Sequence, residues 1–190
     1  IECDDPKTAY RALRTELNLD TDTRIILCLG SGFHTKGVDI SIAAFADLHK
    51  IQRDIALVVV GKDNPDKYRE QARSLGVAEK VFFPGARNPV GNLLHGADVL
   101  LHPARKELAG NVILEAMLCA CPVLASAHCG YAHYIEDYQL GALIGADAKS
   151  ADVARQLQVL LSIDKRDWVI QASKLCETNI FSRAEHALAV

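Results

Sequence analysis

The alternation of two kinds of apolar pattern is the feature that most constrains the fold of this chain. Short, continuously apolar runs are separated by longer segments in which apolar residues recur at the spacing of one helix face. A strand that is apolar at every position is typical of a parallel sheet covered on both faces by helices. We therefore predict an α/β fold, a Rossmann-like doubly wound parallel sheet. The predicted strands are 25–29, 55–60, 81–83, 99–101, 123–125 and a weaker one at 140–144.

The predicted helices lie between these strands. Val38, Ile42 and Phe45 form one helical stripe, and Gly76 is a C-terminal stop signal for a polar helix over 66–75. Further helices are predicted near 7–19, 90–96 and 110–120, through 153–161, and once or twice more in the tail. We predict a peripheral N-terminal segment with a helix (1–20), a Rossmann-like nucleotide-sugar-binding domain (21–163) and a C-terminal helical segment (164–190).

Composition narrows the class of protein. The 190 residues carry a net charge of −3, which argues against a dedicated nucleic-acid binder. No apolar run reaches the roughly 18 residues that a membrane-spanning helix needs. Cys28 lies inside an apolar run, so the six cysteines are interpreted as free thiols of a reducing cytoplasm. A first residue of Ile1 without a signal-peptide pattern suggests a cut or processed piece of a longer protein.

The first strand is followed by a glycine-containing turn over 30–37. Gly30 and Gly32 allow a tight turn and a close approach of a ligand to the backbone. Lys36 stands at the start of the next helix, where backbone N–H groups attract anions. This turn suits a diphosphate, although its spacing is neither a dinucleotide fingerprint nor a Walker loop. An ordinary strand-to-helix turn with a solvated lysine is an equal alternative.

Two glutamates follow the fourth predicted strand. Glu107 is expected in the loop, and Glu115 just over one turn into the next helix, among apolar residues. A carboxylate in such a helix needs a partner, because burying an unpaired charge is costly. Ribose hydroxyls are suitable partners, since a carboxylate accepts hydrogen bonds from both. The alternative is a glutamate that pairs with a nearby cation or faces solvent.

The spacing of these residues resembles the nucleotide-sugar-binding half of the family-four retaining glycosyltransferases, which have GT-B architecture. The resemblance covers about residues 20–160 and implies the C-terminal, donor-binding half of such an enzyme. Shorter stretches at 30–33, 35–39 and 129–135 resemble a subgroup that adds glucose to the inner-core heptose of lipopolysaccharide. The matching residues are His102, Pro103, Glu107, Gly110, 114–117, Pro122 and Val123.

The resemblance implies a role for each matched residue. Lys36 would contact the donor diphosphate, Glu107 the hydroxyls of the transferred sugar and Glu115 the ribose. Lys36 and Glu107 are the implied catalytic residues. Arg87, in the segment 85–88 after the third strand, would lie near the base. Gly32 would add to the diphosphate site, and backbone N–H groups would come from Ala109, Gly110 and Asn111.

The resemblance also implies partners and a location. The donor would be a UDP-sugar, in particular UDP-glucose, with no cofactor and no metal. An N-terminal domain of the same protein would bind the lipopolysaccharide core acceptor, so this part alone is expected to be inactive. The protein would be cytoplasmic or peripheral at the inner membrane. A different donor sugar, or a non-catalytic nucleotide-sugar-binding module, are the alternatives, and a sugar-nucleotide epimerase fits the glutamate spacing poorly.

Some residues depart from the family pattern or suggest other chemistry. Ser31 stands where most members carry arginine, and His133 where they carry glutamate. His34 beside the turn could act as a base or donate to phosphate. Zinc is a weak alternative, because the spacing of the potential ligands matches no common zinc module. Those potential ligands are Cys119, Cys121, His128, Cys129 and His133.

Overall fold

Six parallel strands form a single sheet in the computed structural model, which describes residues 5–177. The strand order is β3-β2-β1-β4-β5-β6, and every neighbouring pair is parallel. The predicted fold class and all six predicted strands are confirmed. The strands are β1 (Arg24–Leu29), β2 (Ile55–Val60), β3 (Val81–Phe82), β4 (Val99–His102), β5 (Val123–Ser126) and β6 (Gly141–Ile144).

Eight α-helices and one short 3₁₀ turn (Ala78–Lys80) connect or flank the strands of this part of the chain. Helix α6 was not predicted, because it is only six residues long and buries just Ala132 and Ile135, too few for a periodic pattern. The predicted tail beyond residue 177 lies outside the described residues. The helices are α1 (Pro6–Glu16), α2 (Val38–His49), α3 (Asp66–Ser74), α4 (Val90–Gly96), α5 (Asn111–Leu118), α6 (Ala132–Asp137), α7 (Ser150–Ser162) and α8 (Lys165–Cys176).

The core lies on both faces of the central strands. Every residue of β2 is buried, as a continuously apolar run requires between two helical layers. The chain builds β1, β2 and β3 outward on one side and then crosses back to place β4 against the other side of β1. Loops that leave neighbouring strands in opposite directions open a crevice at their carboxyl ends. The fold therefore places a candidate site between the loops that follow β1 and β4.

Helix α1 is tied to the opposite, amino-terminal edge of the sheet by a buried ion pair. The Arg14 guanidinium donates to the Asp98 carboxylate at 2.6 Å and to the carbonyls of Thr23 and Gly96. Asp98 also accepts from Arg24 at 2.9 Å. Arg14 and Asp98 are only 2% and 3% exposed at their side chains. The segment predicted to be peripheral therefore contributes buried contacts, while the domain boundaries themselves remain a prediction.

The cysteines of the described residues are free thiols, and most are buried. Burial raises the pKa of Cys28 to about 12 and that of Cys129 to about 11, so both are protonated at neutral pH. Cys3 lies outside the described residues. None of the helices from residue 5 to 177 combines the length and apolar character needed to cross a bilayer.

Candidate ligand site at the carboxyl ends of β1 and β4

Lys36 and Glu107 meet across the crevice. Lys36 follows the turn after β1 and donates from Nζ to Oε2 of Glu107, which lies 71 positions later in the loop after β4. Their side chains are 24% and 15% exposed, so the pair is accessible from the crevice. Burial opposes ionisation of Glu107, but Lys36 prevails and holds the pKa of this carboxyl below its usual value. The two predicted catalytic residues therefore form a charged pair at neutral pH.

His102 makes a second contact with the Glu107 carboxylate. It is the last residue of β4, is 1% exposed, and has its Nε2 3.3 Å from Glu107 Oε2. Burial, together with the charge of Lys36, lowers the pKa of His102 to about 4, so the imidazole is neutral at pH 7. A carboxylate can only accept, so Nε2 carries the hydrogen and donates it to Glu107. No local sequence pattern gives His102 a chemical role.

The turn after β1 packs directly on the loop after β4. Gly37 has φ of +71°, and a Cβ at this position would lie 2.1 Å from the Pro103 carbonyl oxygen. Any side chain here would combine a strained backbone with a steric clash. Gly37 thus lets the two loops approach closely enough for Lys36 to reach Glu107.

Arg105 adds a second link between the two loops. Its guanidinium binds both carboxylate oxygens of Asp39, at 2.7 and 2.6 Å, and donates to the His34 carbonyl at 2.9 Å. The Arg105 backbone N–H donates to Thr35 at 2.8 Å. Arg105 was not predicted as a site residue, since nothing in the local sequence distinguishes it from a solvated cation. His34, considered there as a base, is exposed and contributes its carbonyl to this link.

Asp63 holds the backbone of the glycine turn. Its carboxylate accepts from Gly32 N–H at 3.0 Å and from Phe33 N–H at 2.6 Å. Ser31, which departs from the arginine of the family that the sequence resembles, accepts from the Lys62 N–H at 3.1 Å. The turn therefore aims two consecutive N–H groups at an anion, which in this structure is the Asp63 carboxylate. Contact between Gly32 and a diphosphate stays a prediction and requires Asp63 to release this N–H.

The start of helix α5 offers unpaired donors to the same crevice. Gly110 precedes the helix with φ of +84°, and no described side chain caps this end. The N–H groups of Asn111 and Val112, at the very start of the helix, have no carbonyl one turn earlier to donate to, whereas the Ile113 N–H donates to the Gly110 carbonyl at 2.8 Å. Ala109 leads into this turn, and its carbonyl accepts from the Tyr131 N–H at 3.0 Å. The donors predicted at 109–111 therefore lie beside Glu107.

Glu115 lies one turn further along α5. The residues on either side of it, Leu114 and Ala116, are buried, whereas Glu115 is half-buried. Within residues 5–177 its carboxylate makes no hydrogen bond or ion pair. The predicted alternative of pairing with a nearby cation is therefore not observed, and the carboxylate is available to a ligand.

Arg87 is exposed, and its guanidinium pairs with Glu16 at 3.0 Å, at the end of α1. Contact between Arg87 and a base stays a prediction.

The residues considered for zinc are not brought together: Cys119 and Cys121 are buried, whereas His128 and His133 are exposed. From residue 5 to 177, no three metal-ligating side chains form a group.

Acidic pH is expected to destabilise the fold through His102. Its pKa is about 4 in the folded chain against an ordinary value of 6.5. Between these values the unfolded chain binds a proton that the folded chain does not. The free energy of unfolding should therefore fall by about 1.4 kcal/mol per pH unit as the pH decreases. Urea unfolding above about pH 5, where Glu107 stays ionised, measures this slope.

The His102→Gln variant isolates this contribution. His49 and His95, whose pKa values are also lowered by burial, titrate in both proteins and cancel in the difference. We expect a shallower pH dependence in the variant. Equal slopes in parent and variant would contradict a neutral, buried His102.

Comparison with known proteins identifies relatives that match nearly the whole length of this chain. The sequence profile of the family described as "Glycosyl transferases group 1" matches residues 10–175. The lipopolysaccharide glucosyltransferase WaaG of Escherichia coli (strain K12) is 38% identical over 178 residues, covering 92% of this chain and 48% of that protein.

Solved structures agree with the fold. The crystal structure of WaaG, a glycosyltransferase involved in lipopolysaccharide biosynthesis, superposes with a TM-score of 0.85 at 36% identity, over 94% of this chain and 50% of that one. The Anabaena protein Alr3699/HepE, solved with UDP and glucose, has a TM-score of 0.73 at 23% identity over 90% of this chain and 46% of that one. The second likeness shows the fold alone. The chain spans about half the length of these relatives.

Proposed function

This chain belongs to the glycosyl transferases group 1 family, and we propose that it is the donor-binding half of a retaining glycosyltransferase. The whole protein would transfer glucose from UDP-glucose to the inner-core heptose of lipopolysaccharide. Similarity to a lipopolysaccharide glucosyltransferase supports this choice of acceptor class. An N-terminal domain in the same protein would bind the acceptor, because the relatives are about twice as long as this chain. The whole protein would act at the cytoplasmic face of the inner membrane.

One observation carries the proposal. A cation, Lys36, and a carboxylate, Glu107, come from two different strand ends and meet beside the uncapped start of α5. A nucleoside diphosphate sugar presents the complementary groups, namely two phosphates next to a ring of hydroxyls. Donors aimed at the phosphates and an acceptor aimed at the hydroxyls therefore fit this class of ligand.

The proposed reaction uses the donor's own diphosphate as the leaving group and involves no further cofactor. Negative charge grows on the diphosphate as the bond to the sugar breaks. Lys36 and the N–H groups at the start of α5 would stabilise that charge. Glu107 would accept from the sugar hydroxyls and orient the ring, and Glu115 would hold the ribose. The acceptor lies in the other domain, so this chain alone should bind donor and transfer no measurable sugar.

The ribose role is tested by Glu115→Ala. We expect calorimetry to show saturable UDP binding to the parent chain and about 10- to 100-fold weaker binding to the variant, because hydrogen bonds to a charged group contribute about 1.5–3 kcal/mol. Glu79→Ala is a matched control, since Glu79 is exposed and precedes β3, at the far edge of the sheet. Unchanged UDP affinity in Glu115→Ala would contradict the ribose role.

The same purified chain can identify which nucleotide sugar is the preferred donor. Saturation-transfer NMR with UDP-glucose, UDP-galactose and GDP-mannose should give the strongest effect with UDP-glucose. Tighter binding of GDP-mannose would indicate a different donor. Binding of UDP-glucose without any transfer by the complete two-domain protein would favour the non-catalytic module.

A further inference from the structure

We propose that His102 is a positioning residue that holds Glu107 in the orientation needed to receive the donor sugar. The inference rests on the proposed function, because it assigns a task to a neighbour of the sugar-binding carboxylate. His102 would not contact the sugar, since it is 1% exposed and lies behind Glu107 as seen from the crevice. It acts through Glu107 alone.

Both donors to Glu107 converge on one of its oxygens. Lys36 Nζ and His102 Nε2 each donate to Oε2. Oε1 accepts no hydrogen bond from any residue in the described part of the chain. The carboxylate is therefore held through one oxygen, and the other oxygen has no partner among the described residues. This is the arrangement that a hydroxyl-binding carboxylate requires.

Lys36 and His102, the two donors to Glu107, should respond differently when the donor binds. Lys36 is the cation proposed for the diphosphate, so its ammonium would turn toward phosphate and share or leave Glu107. His102 stands at the end of a central buried strand, where packing fixes its ring. It is the anchor that remains in place. Because its imidazole is neutral, it orients the carboxylate without cancelling the negative charge that attracts sugar hydroxyls.

Two amide substitutions separate this role from packing. Glutamine places its side-chain N–H₂ near the position of the histidine Nε2, whereas asparagine reaches only as far as Nδ1. Calorimetry with UDP and with UDP-glucose on the 190-residue chain gives the ratio of the two affinities. A merely structural defect would weaken both ligands alike, so this ratio reports the sugar contact.

We expect His102→Asn to shift the ratio about tenfold against UDP-glucose, and His102→Gln to stay near the parent value. Glu107→Ala should shift the ratio at least as far as His102→Asn. His49→Gln is the control, because His49 is a half-buried histidine that stacks on Phe45 at the far end of α2. It should leave the ratio unchanged.

The possible outcomes distinguish the positioning role of His102 from the proposed function of the chain. A His102→Asn chain with the parent ratio overturns the positioning role and leaves the proposed function standing. An unchanged ratio in Glu107→Ala overturns the sugar contact and, with it, the role of His102. A parent chain that does not bind UDP at all contradicts the proposed function itself.

Discussion

Replacing Lys36 with methionine is expected to weaken UDP binding by about 10- to 100-fold. A hydrogen bond from a charged group contributes about 1.5–3 kcal/mol, and about 1.4 kcal/mol corresponds to tenfold in affinity. Ser31 provides no charge at this turn, and the nearby Arg105 is held by Asp39. Methionine retains the stem that packs beside Gly30, so the fold should be preserved. Calorimetric titration with UDP measures the loss.

Part of this loss could come from Glu107, whose negative charge the variant leaves unpaired beside the diphosphate. The Lys36→Met/Glu107→Gln double variant removes that repulsion, and a double-mutant cycle gives the coupling between the two residues. Lys50→Met is the control, because this exposed lysine follows α2 at the amino edge of the sheet. Affinity in Lys36→Met equal to that of Lys50→Met would show that Lys36 does not bind the diphosphate.

Replacing Asp98 with alanine is expected to lower the free energy of unfolding by about 3–5 kcal/mol, the usual cost of removing one partner of a buried ion pair. The change leaves the Arg14 guanidinium uncompensated in the interior. It also removes the acceptor of the Ile25 N–H, which donates to Asp98 at 2.8 Å. Urea unfolding followed by circular dichroism measures the difference.

Two further variants show whether that loss of stability comes from the buried charge. Asp98→Asn keeps an acceptor oxygen and should lose less stability than alanine. Glu70→Ala removes an exposed carboxylate paired with Arg73, where a loss of about 1 kcal/mol or less is expected. The Asp98 network lies at the edge of the sheet opposite the site, so folded Asp98→Asn should still bind UDP. Equal stability of Asp98→Ala and Glu70→Ala would contradict a buried, strongly coupled pair.

The sequence predicts the strands of this protein well because each contains a short, continuously apolar run. The same logic places the residues that follow β1 and β4, among them Lys36 and Glu107, at one edge of the sheet, because the carboxyl ends of parallel strands share that edge. The contacts that position these residues do not follow from the sequence pattern. Asp63 and Arg105 stand in stretches with no distinguishing local pattern, and each is recognised only by a contact with a distant segment. His102 belongs to a stretch that matches the family pattern, but its role emerges only from its contact with Glu107.

The sequence by itself therefore determined the fold class and the edge of the sheet at which the site lies, because apolar periodicity is a local property of the chain. Tertiary structure alone decided which carboxylate Lys36 pairs with, which anion the glycine turn holds and where the Arg14 charge is buried. It also decided that His102 is neutral. These properties depend on desolvation and on distances between residues far apart in sequence, such as the 84 positions between Arg14 and Asp98.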